Sequence, residues 1–332
     1  MKYYSTNKQA PLASLEEAVV KGLAGDKGLY MPEHIRPLDK DTISGLKNKS
    51  FHEIACTAAQ AFFGEDIEPE TLDAIVRDTL SFETPVVPVR DNIYSLELFH
   101  GPTLAFKDVG GRFMARLLGY FIKKEGLKQV NVLVATSGDT GSAVANGFLG
   151  VPGIHVYVLY PKGKVSPIQE CQFTTLGQNI TALEVDGTFD DCQALVKSAF
   201  MDEELNRHMK LTSANSINVA RFLPQSFYYF NAYAQLDKIG KADQLVVSVP
   251  VETSAISQLV CLHIGWGCRS NVLWLPTTAT TCSWNTCTRG FTRRVPPFRP
   301  SPMRWMSVIR ATSPASWTCT ARTATRTRKS AS

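Results

Sequence analysis

Val130-Asn-Val-Leu-Val-Ala-Thr-Ser-Gly-Asp-Thr-Gly-Ser142 is the stretch that decides the fold. Its first six residues are a short run dominated by valine and leucine, which reads as a strand buried on both faces. A Gly/Ser loop follows, then a helix of small residues over Gly141 to Leu149. The alternation continues outward: an apolar run Ile154 to Tyr160, a helix Pro167 to Leu176, and a strand Ile180 to Val185. Helices over Phe189 to Met209 and Ile217 to Leu236 come next, and a strand over Gln244 to Val249. Strands alternating with helices predict an α/β fold, its parallel sheet covered on both faces.

Upstream, apolar residues recur at helical spacing over Leu12 to Leu23, His52 to Phe63 and Pro69 to Leu80. Residues 1–81 are therefore expected to be a mainly helical segment capping an α/β catalytic region at 82–250. A chain of 332 residues can bury a sizeable core, as two domains or one large one. No run of eighteen apolar residues occurs and Met1 to Gln9 is polar, so neither a membrane span nor a signal peptide is expected, and the expected address is cytoplasmic.

The formal charge of +5 is misleading, because it is unevenly distributed. Residues 1–252 hold 24 basic and 30 acidic side chains, a net of −6, whereas 253–332 hold eleven Lys and Arg and no acid. All five tryptophans and five of the eight cysteines also lie at or beyond Cys261. Thr277 to Arg328 has no sustained period of either kind, which reads as irregular. Cys282 and Cys287 have no second cysteine pair and no histidine cluster nearby, so no metal site is read there.

Three segments carry chemistry. Phe99-His-Gly-Pro-Thr-Leu-Ala-Phe-Lys-Asp-Val-Gly-Gly111 sets Lys107 just before an amphipathic helix. A lysine held among apolar groups has more of its free amine, the form that makes a Schiff base, although a surface lysine paired with a carboxylate at a helix start fits the same spacing. Ala135-Thr-Ser-Gly-Asp-Thr-Gly-Ser142 joins a strand to a helix, where backbone N–H groups and the helix dipole favour an anion. A plain turn with a good N-cap reads the same way, and no Gly-Lys-Ser/Thr makes it a P-loop. Leu211-Thr-Ser-Ala-Asn-Ser-Ile-Asn-Val-Ala-Arg221 opens a helix with amide and hydroxyl groups and ends on an arginine whose fork suits phosphate; a polar cap with a solvated arginine is the alternative.

Together these segments resemble the threonine synthases. His100-Gly-Pro-Thr-Leu-Ala-Phe-Lys-Asp-x-Gly-Gly-Arg-Phe-Met114 is similar to their cofactor-lysine segment, and Ser213 to Gln225 to a stretch that helps hold the substrate phosphate. Gly28-Leu-Tyr-Met-Pro-Glu33 matches a common opening segment and is given no site role. The resemblance implies fold type II of the pyridoxal 5'-phosphate (PLP) enzymes, related to the tryptophan synthase β chain, with two open α/β domains and the cofactor between them. It implies that Lys107 holds PLP as a Schiff base and is the catalytic residue, with Asp139 near the cofactor ring hydroxyl. Ser137, Gly138, Thr140 and Gly141 would cradle the substrate carboxylate, and Asn215, Ser216, Asn218 and Arg221 the substrate phosphate. The implied reaction converts O-phospho-L-homoserine and water to L-threonine and phosphate, with neither nucleic acid nor membrane as partner. A serine or threonine dehydratase of the same fold, or an inactive product, are the alternatives.

The family's phosphate-gripping loop, Ser-Gly-Asn-Phe-Gly-Asn after Val-Pro, is missing: Val249-Pro250 is followed by Val251-Glu-Thr-Ser-Ala-Ile-Ser257. Those residues can be encoded as GTG GAA ACT TCG GCA ATC TC, which from its third base reads Gly-Asn-Phe-Gly-Asn-Leu. The same offset over Trp284 to Ser313 permits a second family-like segment. A frameshift near codon 250 is therefore expected, leaving 251–332 out of frame and not natively folded. A basic nucleic-acid-binding tail is the competing reading of that composition.

Overall fold

A computed structural model describes residues 1–215, 218–243, 245–251, 270–276 and 306–311. The strand expected first, β5 (Val130–Ala135), is buried at every position and lies at the centre of a parallel sheet. Its neighbours are β6 (Ile154–Pro161) and β8 (Leu211–Ser213), and β7 (Ile180–Val185) extends β6, giving the order β7-β6-β5-β8. A strand flanked on both sides and covered on both faces has no solvent-facing positions, so its apolar run is unbroken. Helices α6 (Asp139–Phe148), α7 (Pro167–Thr174) and α8 (Phe189–Met201) connect these strands.

A second sheet, mixed in direction, takes the order β10-β9-β11-β4-β3, from β3 (Val86–Arg90), β4 (Ile93–Glu97), β9 (Leu245–Val251), β10 (Ser270–Pro276) and β11 (Met306–Ala311). Two sheets flanked by helices agree with the expected fold type II α/β architecture. β10 and β11 fall in the segment read as out of frame, so the expected irregular tail is interrupted by two regular stretches. The remainder of that tail lies outside the described residues, as does most of Val251 to Ser257.

The N-terminal segment is mainly helical, with α1 (Leu15–Lys21), α2 (Lys40–Gly45), α3 (Phe51–Phe63) and α4 (Pro69–Thr79), plus an antiparallel pair, β1 (Tyr3–Ser5) and β2 (Tyr30–Pro32). β2 lies within the Gly28–Glu33 motif, whose Tyr30 is buried in the core. α3 starts on a reciprocal cap in which Ser50 and Glu53 satisfy each other's backbone N–H groups.

α5 (Lys107–Lys124) is the longest helix among the described residues, and α1, α4 and α6 pack on it. Its Phe113 stacks on Phe63 of α3 with ring centroids 5.2 Å apart, and meets Phe227 of α11 (Phe227–Lys238) edge-on at 5.8 Å. On another face α5 meets α6 backbone to backbone. A Cβ at Gly111 would sit 2.8 Å from the Ala143 carbonyl oxygen, and one at Gly147 would sit 2.9 Å from the Gly111 carbonyl carbon. Only glycine permits so close an approach.

The two longest expected helices are each divided. Phe189 to Met209 breaks at Asp202, which caps α9 (Glu203–His208) by accepting from the Leu205 N–H. Ile217 to Leu236 is split into short α10 (Val219–Phe222), a 3-10 turn carrying Pro224, and α11, because proline cannot donate to a continuous helix.

Candidate active site

Lys107 is the first residue of α5, delivered there by a turn that Asp108 ties down. The buried Asp108 carboxylate accepts the Thr103 N–H at 2.9 Å and the Thr103 hydroxyl. Burial raises the Asp108 pKa, and these hydrogen bonds act against it. Leu104, inside the turn, holds a φ of 59° and is 63 % exposed, an unfavourable combination for a branched apolar residue.

The Lys107 side chain is 19 % exposed, and its Nζ lies 3.8 Å from Asp139 Oδ2. Burial pulls its pKa down to about 8; Asp139 opposes that shift and the Arg221 charge adds to it. The reading of Lys107 as a plain surface lysine at a helix start does not fit that burial. The Phe106 ring centroid is 5.4 Å from Nζ, so the amine sits against an apolar surface.

Asp139 opens α6. The loop before it is organised by the buried Thr136, whose Oγ1 accepts from the N–H groups of Gly138 at 2.9 Å and Gly141 at 2.8 Å, and donates to the Gly138 carbonyl at 3.0 Å. Gly138 has a φ of 143°, and a Cβ there would strike the Gln169 side chain. Gln169, from α7, donates to Asp139 and accepts from Ser166 at 2.9 Å. Sequence reading did not single out Gln169, because a lone glutamine on a short helix carries no pattern. Ser137 is exposed, and Asp139 and Thr140 are half-buried, at the same end of the sheet. The structure thus brings Lys107, Asp139 and the Ser137–Gly141 loop together.

The Asn215–Arg221 cluster divides. Arg221 is entirely buried, packed beside Gly110 of α5. One of its terminal nitrogens donates to the Ala214 carbonyl, while Nε and the other terminal nitrogen have no hydrogen-bond partner among the described residues. Burial lowers its pKa to about 10, Asp108 acting the other way, so the guanidinium stays charged at neutral pH. A solvated arginine on a helix cap is therefore not what the fold builds here.

Asn218 is held from both sides. Its side chain caps α10 by accepting from the Ala220 N–H at 3.0 Å, and donates to the Val19 carbonyl at 2.9 Å and the Ser213 carbonyl at 3.4 Å. These bonds tie the start of α10 to the N-terminal segment. Asn215 is half-buried, with its N–H on Ser213 Oγ at 3.3 Å. Ser216 lies outside the described residues.

A model of the threonine synthase N terminus matches residues 2–80, and one of pyridoxal-phosphate dependent enzymes matches residues 80–255. Threonine synthase from Escherichia coli is 47 % identical over 250 residues, covering 75 % of this chain and 58 % of its own length. The relative from Haemophilus influenzae is also 47 % identical, with 57 % of its length covered. The chain therefore spans somewhat more than half the length of these relatives. The crystal structure of a PLP-bound threonine synthase from Brucella melitensis superposes with a TM-score of 0.76 at 36 % identity, covering 82 % of this chain and 60 % of that one.

Proposed function

The chain belongs to the family of pyridoxal-phosphate-dependent enzymes, and from that membership we propose that it is built to convert O-phospho-L-homoserine and water to L-threonine and phosphate. One observation carries the reading: a part-buried lysine and a fully buried arginine feel each other's charge, one able to shed its proton near neutral pH and one with two donors that have no partner among the described residues. The first suits the aldehyde of the cofactor and the second suits a phosphate.

These residues fit PLP. When bound, PLP supplies an electron sink for charge at the substrate's α and β carbons. Lys107 would hold the cofactor and, as a free amine, would exchange protons at those carbons, which a pKa of about 8 permits. Asp139, 3.8 Å from Nζ and held by Gln169, would orient the amine and would face the ring hydroxyl of a bound cofactor. Ser137, Thr140 and the backbone of Gly138 and Gly141 receive the substrate carboxylate. Arg221, with Asn215 and Ser216, meets the phosphate that leaves from the γ carbon, and water adds at the β carbon.

The substrate is a small molecule, and a cytoplasmic address is part of the same reading. Among the described residues no helix is long and apolar enough to cross a membrane. A frameshift near codon 250 also belongs to the proposal. The family match stops at residue 255 of 332, and the composition changes at the same place. Resequencing codons 245 to 260 tests it; an in-frame coding sequence there would remove it.

The activity is tested by restoring the frame and measuring phosphate release from O-phospho-L-homoserine alongside ammonia release from L-serine and L-threonine. Threonine synthase activity requires phosphate and threonine in equal amounts. Ammonia release without phosphate release would instead make the protein a dehydratase.

A further inference from the structure

α3 and α4 carry a group of side chains that the site above does not use. His52 and Cys56 stand four residues apart on α3, so they share one helix face, and Asp73 of α4 lies opposite them. His52 Nε2 is 2.9 Å from Asp73 Oδ1, Cys56 Sγ is 3.2 Å from the same oxygen, and Sγ and Nε2 are 3.4 Å apart. Three different donor atoms thus form a closed triangle. The second oxygen of Asp73 accepts from Arg77 at 3.2 Å, which aims Oδ1 into the triangle. His52 is 21 % exposed, so the group opens to solvent on one side.

We propose that His52, Cys56 and Asp73 form a binding site for a zinc-class divalent cation that ties α3 to α4. A tetrahedral shell built from ordinary zinc–sulfur, zinc–nitrogen and zinc–oxygen bonds has ligand-to-ligand edges of roughly 3.3–3.6 Å. The three observed edges fall a few tenths of an ångström short of that, so a small outward movement of side-chain ends admits the ion. Thiolate and imidazole select a borderline-soft ion, whereas calcium and magnesium require oxygen donors. Three protein ligands leave the fourth position to water on the solvent side, with the thiol proton leaving to the buffer as the sulfur binds. Arg77 acts as an outer partner that fixes the carboxylate.

The sequence offered half of this: His52-x-x-x-Cys56 is visible as a spacing, but Asp73 joins it only once α4 folds back on α3. Because α3 and α4 both pack on helices that frame the active site, the ion would act as a staple for the N-terminal segment.

The test uses the full 332-residue chain without an affinity tag, stripped with a chelator and titrated with Zn2+ and with Co2+. Wild type is expected to show a thiolate-to-cobalt charge-transfer band and tetrahedral visible bands, and one equivalent of Zn2+ is expected to raise Tm. Cys56→Ser removes the charge-transfer band, while Cys171→Ser, Cys192→Ser and a variant with Cys261, Cys268, Cys282, Cys287 and Cys319 all changed to serine keep it, which separates this thiol from the other seven. His52→Gln and Asp73→Asn each weaken Zn2+ binding by about 100-fold. Asp73→Asn preserves shape, so its loss of binding is not a folding failure. Absence of the band in wild type, its persistence in Cys56→Ser, or unchanged affinity in Asp73→Asn overturns the proposal. None of these readouts depends on turnover, so failure here leaves the proposed reaction untouched.

Discussion

The starts of α5 and α10 each bury a cation, and they treat it in opposite ways. At Lys107 the charge is negotiable: burial weakens it, Asp139 supports it from 3.8 Å, and the balance falls at a pKa of about 8. At Arg221 the charge is kept at neutral pH and wholly enclosed, and two of its nitrogens have no partner among the described residues. Leaving buried donors unmade costs stability that a fold does not give up without return. The contrast suggests a division of labour in which one cation is kept ready to become a neutral nucleophile and the other waits for an anion.

The comparison breaks most readily at Lys107. In the frame-restored enzyme Lys107→Ala is expected to lower turnover by at least ~10³-fold and to abolish the cofactor's visible absorbance, as stopped-flow assay and spectrophotometry would show. Retained turnover would end the assignment. The 332-residue chain itself, without the glycine-rich loop, is expected to bind PLP far more weakly than the restored one, as equilibrium dialysis would register.

Arg221→Met sharpens the other side of the contrast, because two observables should move in opposite directions. Affinity for O-phospho-L-homoserine should fall by about 100-fold as the charged donors are lost. The ligand-free protein should become more stable in urea unfolding, since an apolar side chain of similar length removes a buried charge with two donors unpaired among the described residues, offset in part by the Ala214 carbonyl losing its donor. Asn218→Ala serves as the control for position: it should cost about 1–2 kcal/mol through the lost cap and the lost tie to Val19. A substrate-affinity loss as large as that of Arg221→Met would return Asn218 to direct contact.

The smallest effect is in pH. The Lys107 pKa is depressed in the folded state, so between pH 8 and its unfolded value near 10.5 the unfolded chain binds more protons. Stability should therefore rise with pH across that window, relative to Lys107→Met, and the rate of cofactor capture should climb through about pH 8. A flat difference between the two proteins would show that burial does not tune the amine.

Much of this was legible beforehand, for identifiable reasons. The central strand, its loop and Lys107 could be read because each has a local pattern: a valine-rich run, a Gly/Ser turn, a lysine ahead of an amphipathic face. β3 and β4 escaped because Val86–Arg90 is half exposed and contains Pro88, so no clean alternation marks it. The cap and tie made by Asn218 escaped because a cap and a ligand contact use the same side-chain type, and the partner Val19 lies far away along the chain. Gln169 and Asp73 gain their meaning from neighbours 30 and 21 residues away, which no window along the chain reveals.

The contact of Gly111 with Ala143 and Gly147 also limits how this site can change. It sets the separation of α5 and α6, and hence of Lys107 and Asp139, without any side chain acting as a spacer. The smallest available alteration is a methyl group, and it already collides with backbone. The separation of the lysine and its carboxylate is thus stepwise rather than graded. Evolution or design can retune the amine by changing what surrounds it, but not by easing these two helices slightly apart.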